Sequence, residues 1–420
     1  MRADEVRDLS RLAGLAASGG ARRVQEVHDG IARRAFRPLG AVATPVRRTH
    51  DAVAGAVYAS VAVGLRTGAR AAGAAGALAA SGRPLDGTPR AGVALAVLNG
   101  AHGDLVAREA PSLALDMTVR VAGRDVPVDR AALAAGFPGA SGSVAVFLHG
   151  LTENEGAWCF RAVRHHGDRS TTYGSMLQRD LGLTPVYLRY STGLRIGDNG
   201  ARLDALLARL VEQWPVPVQD VVLVGHSMGG LVARSALHQA RGGTPDAAPW
   251  TRLVRDTVTL GTPHLGAPLE RGVHALAGAL ARVPETRPVA TLLDTRSAGI
   301  RDLRRGTLVA DDEPRSGTTP GRRHTWVPLH DGARHFVVLA TVPRDPDGRL
   351  AHVVGDLLVP PRSACGDTGG DDRLAFPADH VHRLGGLHHF DLLNHPLVYA
   401  QLRRWLVDRP EGPRPDAPPG

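Results

Sequence analysis

From about residue 112 onward the chain alternates short, uninterrupted apolar runs with longer amphipathic stretches. VAVFL (144–148), PVYLRY, DVVLVG, LVRDTVTL and HFVVLATV are apolar runs of strand length. Between them, YGSMLQRDLGL, ARLDALLARLVEQW and LVARSALHQA read as helices. In the second of these, Leu203, Leu206, Leu207, Leu210, Val211 and Trp214 fall on one stripe at helical spacing. Strands with no polar alternation are buried on both faces, so the pattern predicts an α/β fold with a mostly parallel central sheet and helices on both sides. Ahead of it, LALDMTVRV and RDVPVD, separated by AG, predict a hairpin. About 65 residues separate TLGTPHLGAP from HFVVLATV, too many for a simple crossover. They predict a lid insertion at about 265–334, over the carboxyl ends of the strands.

Residues 1–110 have a different texture. They are rich in Ala, Gly and Arg, lack strand-like alternation and predict a helical amino-terminal region. The sheet-bearing domain is expected over 111–408, and the Pro-rich tail RPEGPRPDAPPG (409–420) is expected to be disordered.

Composition narrows the function classes. The chain has 420 residues, is 43% hydrophobic and carries a formal charge of +9. Every one of its 50 basic residues is arginine, which removes Schiff-base lysines and the P-loop from consideration. Aromatic residues make up only 4%, so the arginines do not read as a nucleic-acid surface. Arg22, Arg23, Arg33, Arg34, Arg47 and Arg48 read either as a solvated helix face or as a face toward anionic lipid, which would allow peripheral membrane association. Two cysteines, Cys159 and Cys365, form neither a metal pattern nor a disulfide framework. The start, MRADEVRDLSRLAG, lacks an apolar signal core. The uncharged run Ala52–Leu65 ends at Arg66, short of the roughly 20 residues that span a bilayer. These features predict a reduced, cytoplasmic protein.

The chemistry gathers at VVLVGHSMGGLVARSA. Gly225-His226-Ser227-Met228-Gly229 fits G-x-S-x-G, with a predicted strand before it and a predicted helix after it. Gly225 and Gly229 leave room for strand and helix to approach. The sharp turn lifts the hydroxyl out of the sheet, beside the positive end of the helix dipole. A serine that only capped the helix would not need those glycines. An alcohol also needs a base and a place for the oxyanion. In VAVFLHGLTENEGAW the strand ends at His149-Gly150, and the loop can aim the Leu151 amide at the same point as the Met228 amide. His149 itself reads as a buried hydrogen-bonding spacer.

Together, VFLHGL, VVLVGHSMGGLVARSA, VTLGTPHLGAP, GDLLVPPRSACG and GGLHHFDLLNHPLVY resemble the bacterial serine lipases and esterases of the α/β-hydrolase superfamily, over about 140–408. TPHLGAP is especially like the true lipases and the GPI inositol-deacylase-like hydrolases. The resemblance implies the chain order Ser, acid, His. Asp356 aligns with the acid, although Leu357 stands where glycine is usual; Asp345, Asp347, Asp294 and Asp302 are the competitors. Among His388, His389 and His395, the resemblance aligns His389 with the base, and His388 is its rival. Asp391 is expected to cap or anchor the final helix. The implied activity is hydrolysis of carboxylic esters, lipidic or long-acyl, through an acyl-enzyme and without cofactor or metal. Acyl transfer by the same residues, and a binding module that kept only the fold, are the alternative readings.

Overall fold

In a computed structural model of the chain, the described residues are 1–36, 43–241, 249–267, 297–309, 325–370 and 373–407. The chain divides into two compact units: Met1–Gly92 with Leu105–Ala114, and Val93–Asp104 with Leu115–Gly420.

The first unit is helical. Its long helices are α1 (Ala3–Phe36) and α2 (Thr44–Leu78), and it takes both ends of α3 (Pro89–Glu109). α1 and α2 run antiparallel and approach at small residues. A Cβ added at Gly14 would stand 2.7 Å from the Ala69 Cβ, and one at Gly73 the same distance from the Ser10 Cβ. Buried Glu5 accepts the Leu85 amide, and Asp8 accepts the amide and hydroxyl of Ser112, which tie the connecting segments to α1. The apolar stretch of α2 does not stop at Arg66, because Ala and Gly carry the helix on to Leu78. This corrects the expected length: among the described residues α2 is the one helix long and apolar enough, by length and composition, to cross a membrane. Arg22, Arg33, Arg47 and Arg48 are exposed, and Arg47 pairs with Asp51 at 3.4 Å.

The second unit is built on an eight-stranded sheet of order β2-β1-β4-β3-β5-β6-β7-β8. The strands are β1 (Thr118–Val121), β2 (Arg124–Val126), β3 (Ser143–Leu148), β4 (Thr184–Arg189), β5 (Asp220–His226), β6 (Val254–Leu260), β7 (Arg334–Thr341) and β8 (Val381–Gly385). β1 and β2 form the expected antiparallel hairpin, and β1 also pairs antiparallel with β4. All other neighbours are parallel. The helices are α4 (Arg130–Gly136), α5 (Ala162–His166), α6 (Tyr173–Leu181), α7 (Ile196–Gln213), α8 (Met228–Arg241), α9 (Ala298–Arg305), α10 (Arg349–Val354), α11 (Pro361–Ala364) and α12 (Pro396–Val407).

The α7 stripe packs as its spacing predicts: Leu203, Leu207, Leu210 and Trp214 are buried with Val146, Leu223 and Leu231 on one side of the sheet. On the other side Phe147, Trp158, Tyr173, Val224 and Leu402 form a second core. Each such side chain contributes about 1.5–3 kcal/mol by leaving water. Strands β3, β5, β6 and β7 bury nearly every position, which is why their sequences do not alternate. β8 was not foreseen; its VHRLG is short and polar because it is an edge strand. Of the expected lid, the described residues include α9 and residues 325–333; most of it lies outside them.

Two loops hold a side chain where glycine is the natural choice. The hairpin turn places Ala122 at φ 48° and Gly123 at φ 75°, both positive as a two-residue hairpin loop requires. Leu357, just after Asp356, stands at φ 83°. A left-handed backbone costs an ordinary residue about 1–2 kcal/mol. Ala122→Asn should therefore raise stability by about 1 kcal/mol, seen as a rise of about 2 °C in a thermal melt. Leu357→Gly should also gain, by up to about 1 kcal/mol after the entropy of glycine in the unfolded chain is subtracted. Leu357→Ala, which keeps its Cβ, should show no gain in the same melt.

Candidate active site

β5, the central strand of the parallel set, ends at His226, and α8 begins at Met228. Ser227 between them has φ 51°, one of five non-glycine positive values among the described residues. The flanking glycines make the turn possible. A Cβ on Gly225 would lie 2.4 Å from the Gly230 nitrogen, and one on Gly229 would lie 2.3 Å from the Leu148 carbonyl oxygen. The start of α8 therefore meets β5 and the end of β3 backbone to backbone. The Ser227 amide donates to Leu260 O at 2.9 Å, tying the turn to the end of β6.

Asp356 and His389 come together although 33 residues separate them. Asp356 follows α10 in the connection from β7, and His389 opens a 3-10 turn (His389–Leu393) after β8. Both are buried, at 1% and 3% exposure. Asp356 Oδ2 is 2.6 Å from His389 Nδ1, while its Oδ1 accepts the amides of Leu358 (2.9 Å) and Val359 (2.7 Å). A carboxylate only accepts, so Nδ1 donates and Nε2 is the nitrogen left to act as an acceptor. The His389 amide also donates to the Asp356 carbonyl at 3.1 Å. Leu357 in its left-handed conformation lets the chain turn so that Leu358 and Val359 reach back to the carboxylate; the role usual for glycine is filled here by a strained leucine.

Ser227 and this pair are neighbours through Gly261, the residue after Leu260. A Cβ on Gly261 would stand 3.0 Å from Nδ1 and Cε1 of the His389 ring. The serine hydroxyl makes no hydrogen bond among the described contacts. Burial pushes the His389 imidazole toward its neutral form, but the charge and hydrogen bond of Asp356, helped by the charge of Glu153, outweigh it. The ring titrates above the usual 6.5.

The loop after β3 singles out one amide. Gly150 N donates to Glu153 Oε2 (2.6 Å), Thr152 N to Thr192 Oγ1 (3.1 Å) and Glu153 N to Gly150 O (3.2 Å). Leu151 N has no described partner. Met228 N is in the first turn of α8, where amides precede the intrahelical ladder. His149 is fully buried, stacked on Tyr190 at 4.4 Å and bonded to Gly150 O, as a spacer should be.

Sequence reasoning missed Glu153. Its Oε2 also accepts from His226 Nδ1 at 3.0 Å, and His226 Nε2 reaches His389 O at 3.3 Å. Burial works against this carboxyl's ionisation, yet the attraction and hydrogen bond of His226 hold it below the ordinary carboxylate value. The one available signal was an acid three residues past Gly150.

The rivals go elsewhere. His388 Nε2 lies 3.3 Å from Asp391 Oδ2, and its amide donates to the same oxygen. Asp391 thus caps the 3-10 turn that leads into α12 and pairs with Arg161. The His395 ring takes the Leu397 amide at the start of α12. Asp302 accepts the Ile196 amide, Asp345 accepts the Asp347 amide, and Asp347 faces Arg383 at 3.8 Å. Asp294 lies outside the described residues. Among the described residues, no group of three or more His, Cys, Asp or Glu is arranged to hold a metal ion.

Residues 148–319 match the family described as the PGAP1-like alpha/beta domain. Comparison with curated proteins finds no match. Among solved structures, the mature form of the Bacillus licheniformis lipase BlEst2 is similar at a TM-score of 0.40 and 19% identity, covering 63% of this chain and 91% of that one. Its propeptide form gives 0.40 and 17%, covering 72% and 55%. The Pyrococcus furiosus esterase PF2001 gives 0.37 and 14%, covering 64% and 84%. The sheet order and the strand–serine–helix turn after β5 give the second unit an α/β-hydrolase-like fold, and the part of it that carries this turn is similar to the PGAP1-like family.

Proposed function

We propose that this protein hydrolyses carboxylic esters through a serine acyl-enzyme, with Ser227 as nucleophile, His389 as base and Asp356 as its partner. The observation that carries the reading is the buried Asp356–His389 hydrogen bond beside a serine held at positive φ. His389 Nε2 takes the Ser227 proton as the hydroxyl attacks the ester carbonyl. Asp356 keeps the ring in the tautomer that leaves Nε2 free and stabilises the imidazolium that forms. The amides of Leu151 and Met228 receive the developing oxyanion, a contribution of about 3 kcal/mol per donor. His389 then returns its proton to the departing alcohol, and water, deprotonated by the same ring, releases the acid. No step calls for a metal or cofactor. Glu153 acts through others: it shapes the Leu151 loop and adds negative charge near His389.

A lipidic or long-acyl ester is the proposed substrate, on the strength of the lid-sized insertion and the GTPHLGAP segment. Peripheral membrane association, through the exposed arginines of the first unit and α2, fits such a substrate.

Measurements on the full chain test this. A fluorophosphonate probe should label the wild type and not Ser227→Ala, and p-nitrophenyl esters of increasing length should be cleaved faster as the acyl chain grows. Preference for two- to four-carbon acyl groups would remove the lipid substrate, and turnover that depends on added alcohol would mean acyl transfer. Asp356→Asn should lower kcat by about 10⁴-fold, whereas His388→Asn should stay within a few-fold of wild type. The acid limb of kcat/KM should show an apparent pKa above 6.5, because a base with a raised pKa is lost as pH falls through that value. Glu153→Gln removes a negative charge near His389 and should move that limb to lower pH.

A further inference from the structure

Residues 150–153, just after β3, form a tight turn. The Glu153 amide donates to Gly150 O at 3.2 Å, which makes Leu151 and Thr152 the two central residues. Thr152 has φ 62°, the sign that the third position of a type II turn demands and that Gly or Asn usually supplies. For a β-branched residue this conformation is unfavourable and persists only where the surroundings hold it. The turn also abuts the proposed nucleophile: a Cβ added at Gly150 would stand 3.0 Å from the Ser227 Cβ. Its conformation therefore sets the direction of the Leu151 amide.

Two side chains accept its amides. Glu153 Oε2, within the turn, takes Gly150 N at 2.6 Å; Thr192 Oγ1, from the loop after β4, takes Thr152 N at 3.1 Å. Thr192 is only 1% exposed, and the backbone around it is gripped by two helices. The middle of α3, part of the second unit, packs on it. A Cβ on Gly193 would stand 2.0 Å from Asn99 O, and one on Gly100 would stand 3.0 Å from Thr192 Oγ1 and 2.8 Å from Thr152 Cγ2. From α9 the Gly299 amide donates to Gly193 O at 3.0 Å, and its capping Ser297 donates through Oγ to Gly100 O at 2.9 Å. The Thr192 hydroxyl is thus fixed by elements that carry none of the proposed catalytic residues.

We infer that Thr192 is a positioning residue for the oxyanion site: its hydroxyl holds the strained turn, and the turn aims the Leu151 amide at the oxygen of a carbonyl attacked by Ser227. The inference rests on the role proposed above for that amide. Without the hydroxyl, Thr152 N–H is unpaired and its positive φ loses the bond that holds it. The nearest relaxation is a flip of the peptide joining Leu151 to Thr152, and that flip disturbs the residue whose amide must point inward. An oxyanion donor has to lie about 2.7–3.1 Å from where the charge forms, so a small rotation costs rate while leaving ground-state binding alone. Thr192 acts on the loop, not on the reacting atoms.

The full chain is assayed with a p-nitrophenyl ester. Thr192→Val removes the hydroxyl at nearly constant volume and should lower kcat by about 10- to 100-fold, with KM within about twofold of wild type. Affinity for a trifluoromethyl ketone, whose serine adduct carries an oxyanion, should fall by a similar factor. The acid limb of kcat/KM should not move, because the Asp356–His389 pair is untouched. Thr192→Ser keeps the hydroxyl and should recover kcat to within about threefold of wild type. Hydrogen exchange over residues 149–154 should quicken in Thr192→Val and not in Thr192→Ser, a readout that needs no turnover. An unchanged kcat in Thr192→Val overturns the inference, and so do equal losses in the two variants. A displaced acid limb or a change confined to KM also overturns it, since either would mean a general loosening of the site. A wild type that takes no fluorophosphonate fails at the ester chemistry itself and takes the inference with it; a labelled wild type with an indifferent Thr192→Val overturns the inference alone.

Discussion

The close approach of β5 to α8 is the constraint on which the site rests. Two glycines let backbone touch backbone, and the chain can then reverse from strand to helix within the single residue Ser227. That reversal sets the hydroxyl at the end of the sheet and brings the Met228 amide to the start of a helix whose dipole is positive there. It also explains why the strain is tolerated. β3 and β6 flank β5 in the parallel sheet, and the Ser227 amide is held by Leu260. Relaxing the turn would mean disturbing the best-packed strands of the unit.

Around this rigid point the site is assembled from loops, and buried charge decides their conformation. Asp356 and Glu153 are carboxylates removed from water, so each must collect donors. Asp356 collects two amides and an imidazole; Glu153 collects an amide and another imidazole. The two sets meet at His389, whose carbonyl is reached by His226. The loops after β3, β7 and β8 thus hold one another in place, and Leu357 accepts an unfavourable φ because its neighbours' amides are needed at the carboxylate.

How much of this could be read in the sequence follows from how local each signal is. Strands β3 to β7 were legible because burial on both faces leaves uninterrupted apolar runs, and the elbow because strand, glycines and helix are contiguous. β8 was not, since an edge strand keeps its histidine and arginine. Asp356 and His389 rested on resemblance, as no spacing rule links residues on separate loops. Glu153 was invisible because its partners, Gly150 apart, are distant in sequence, and so was the pairing of Asp391 with Arg161, which lies 230 residues away. The length of α2 was underestimated because one arginine was taken to end an apolar run that alanine and glycine continue.

The two borders of the sheet have a consequence for how copies of the chain can meet. β2 has three residues, and the hairpin is pinned by a largely buried ionic cluster in which Arg120 holds Asp125 and Glu155, and Glu155 also holds Arg189. β8 has five residues and offers His382 and Arg383 beside its ladder. Strands so short and so charged are poor templates for intermolecular pairing. Edge-to-edge extension of the sheet, the route by which many β-rich chains aggregate, is closed at both rims.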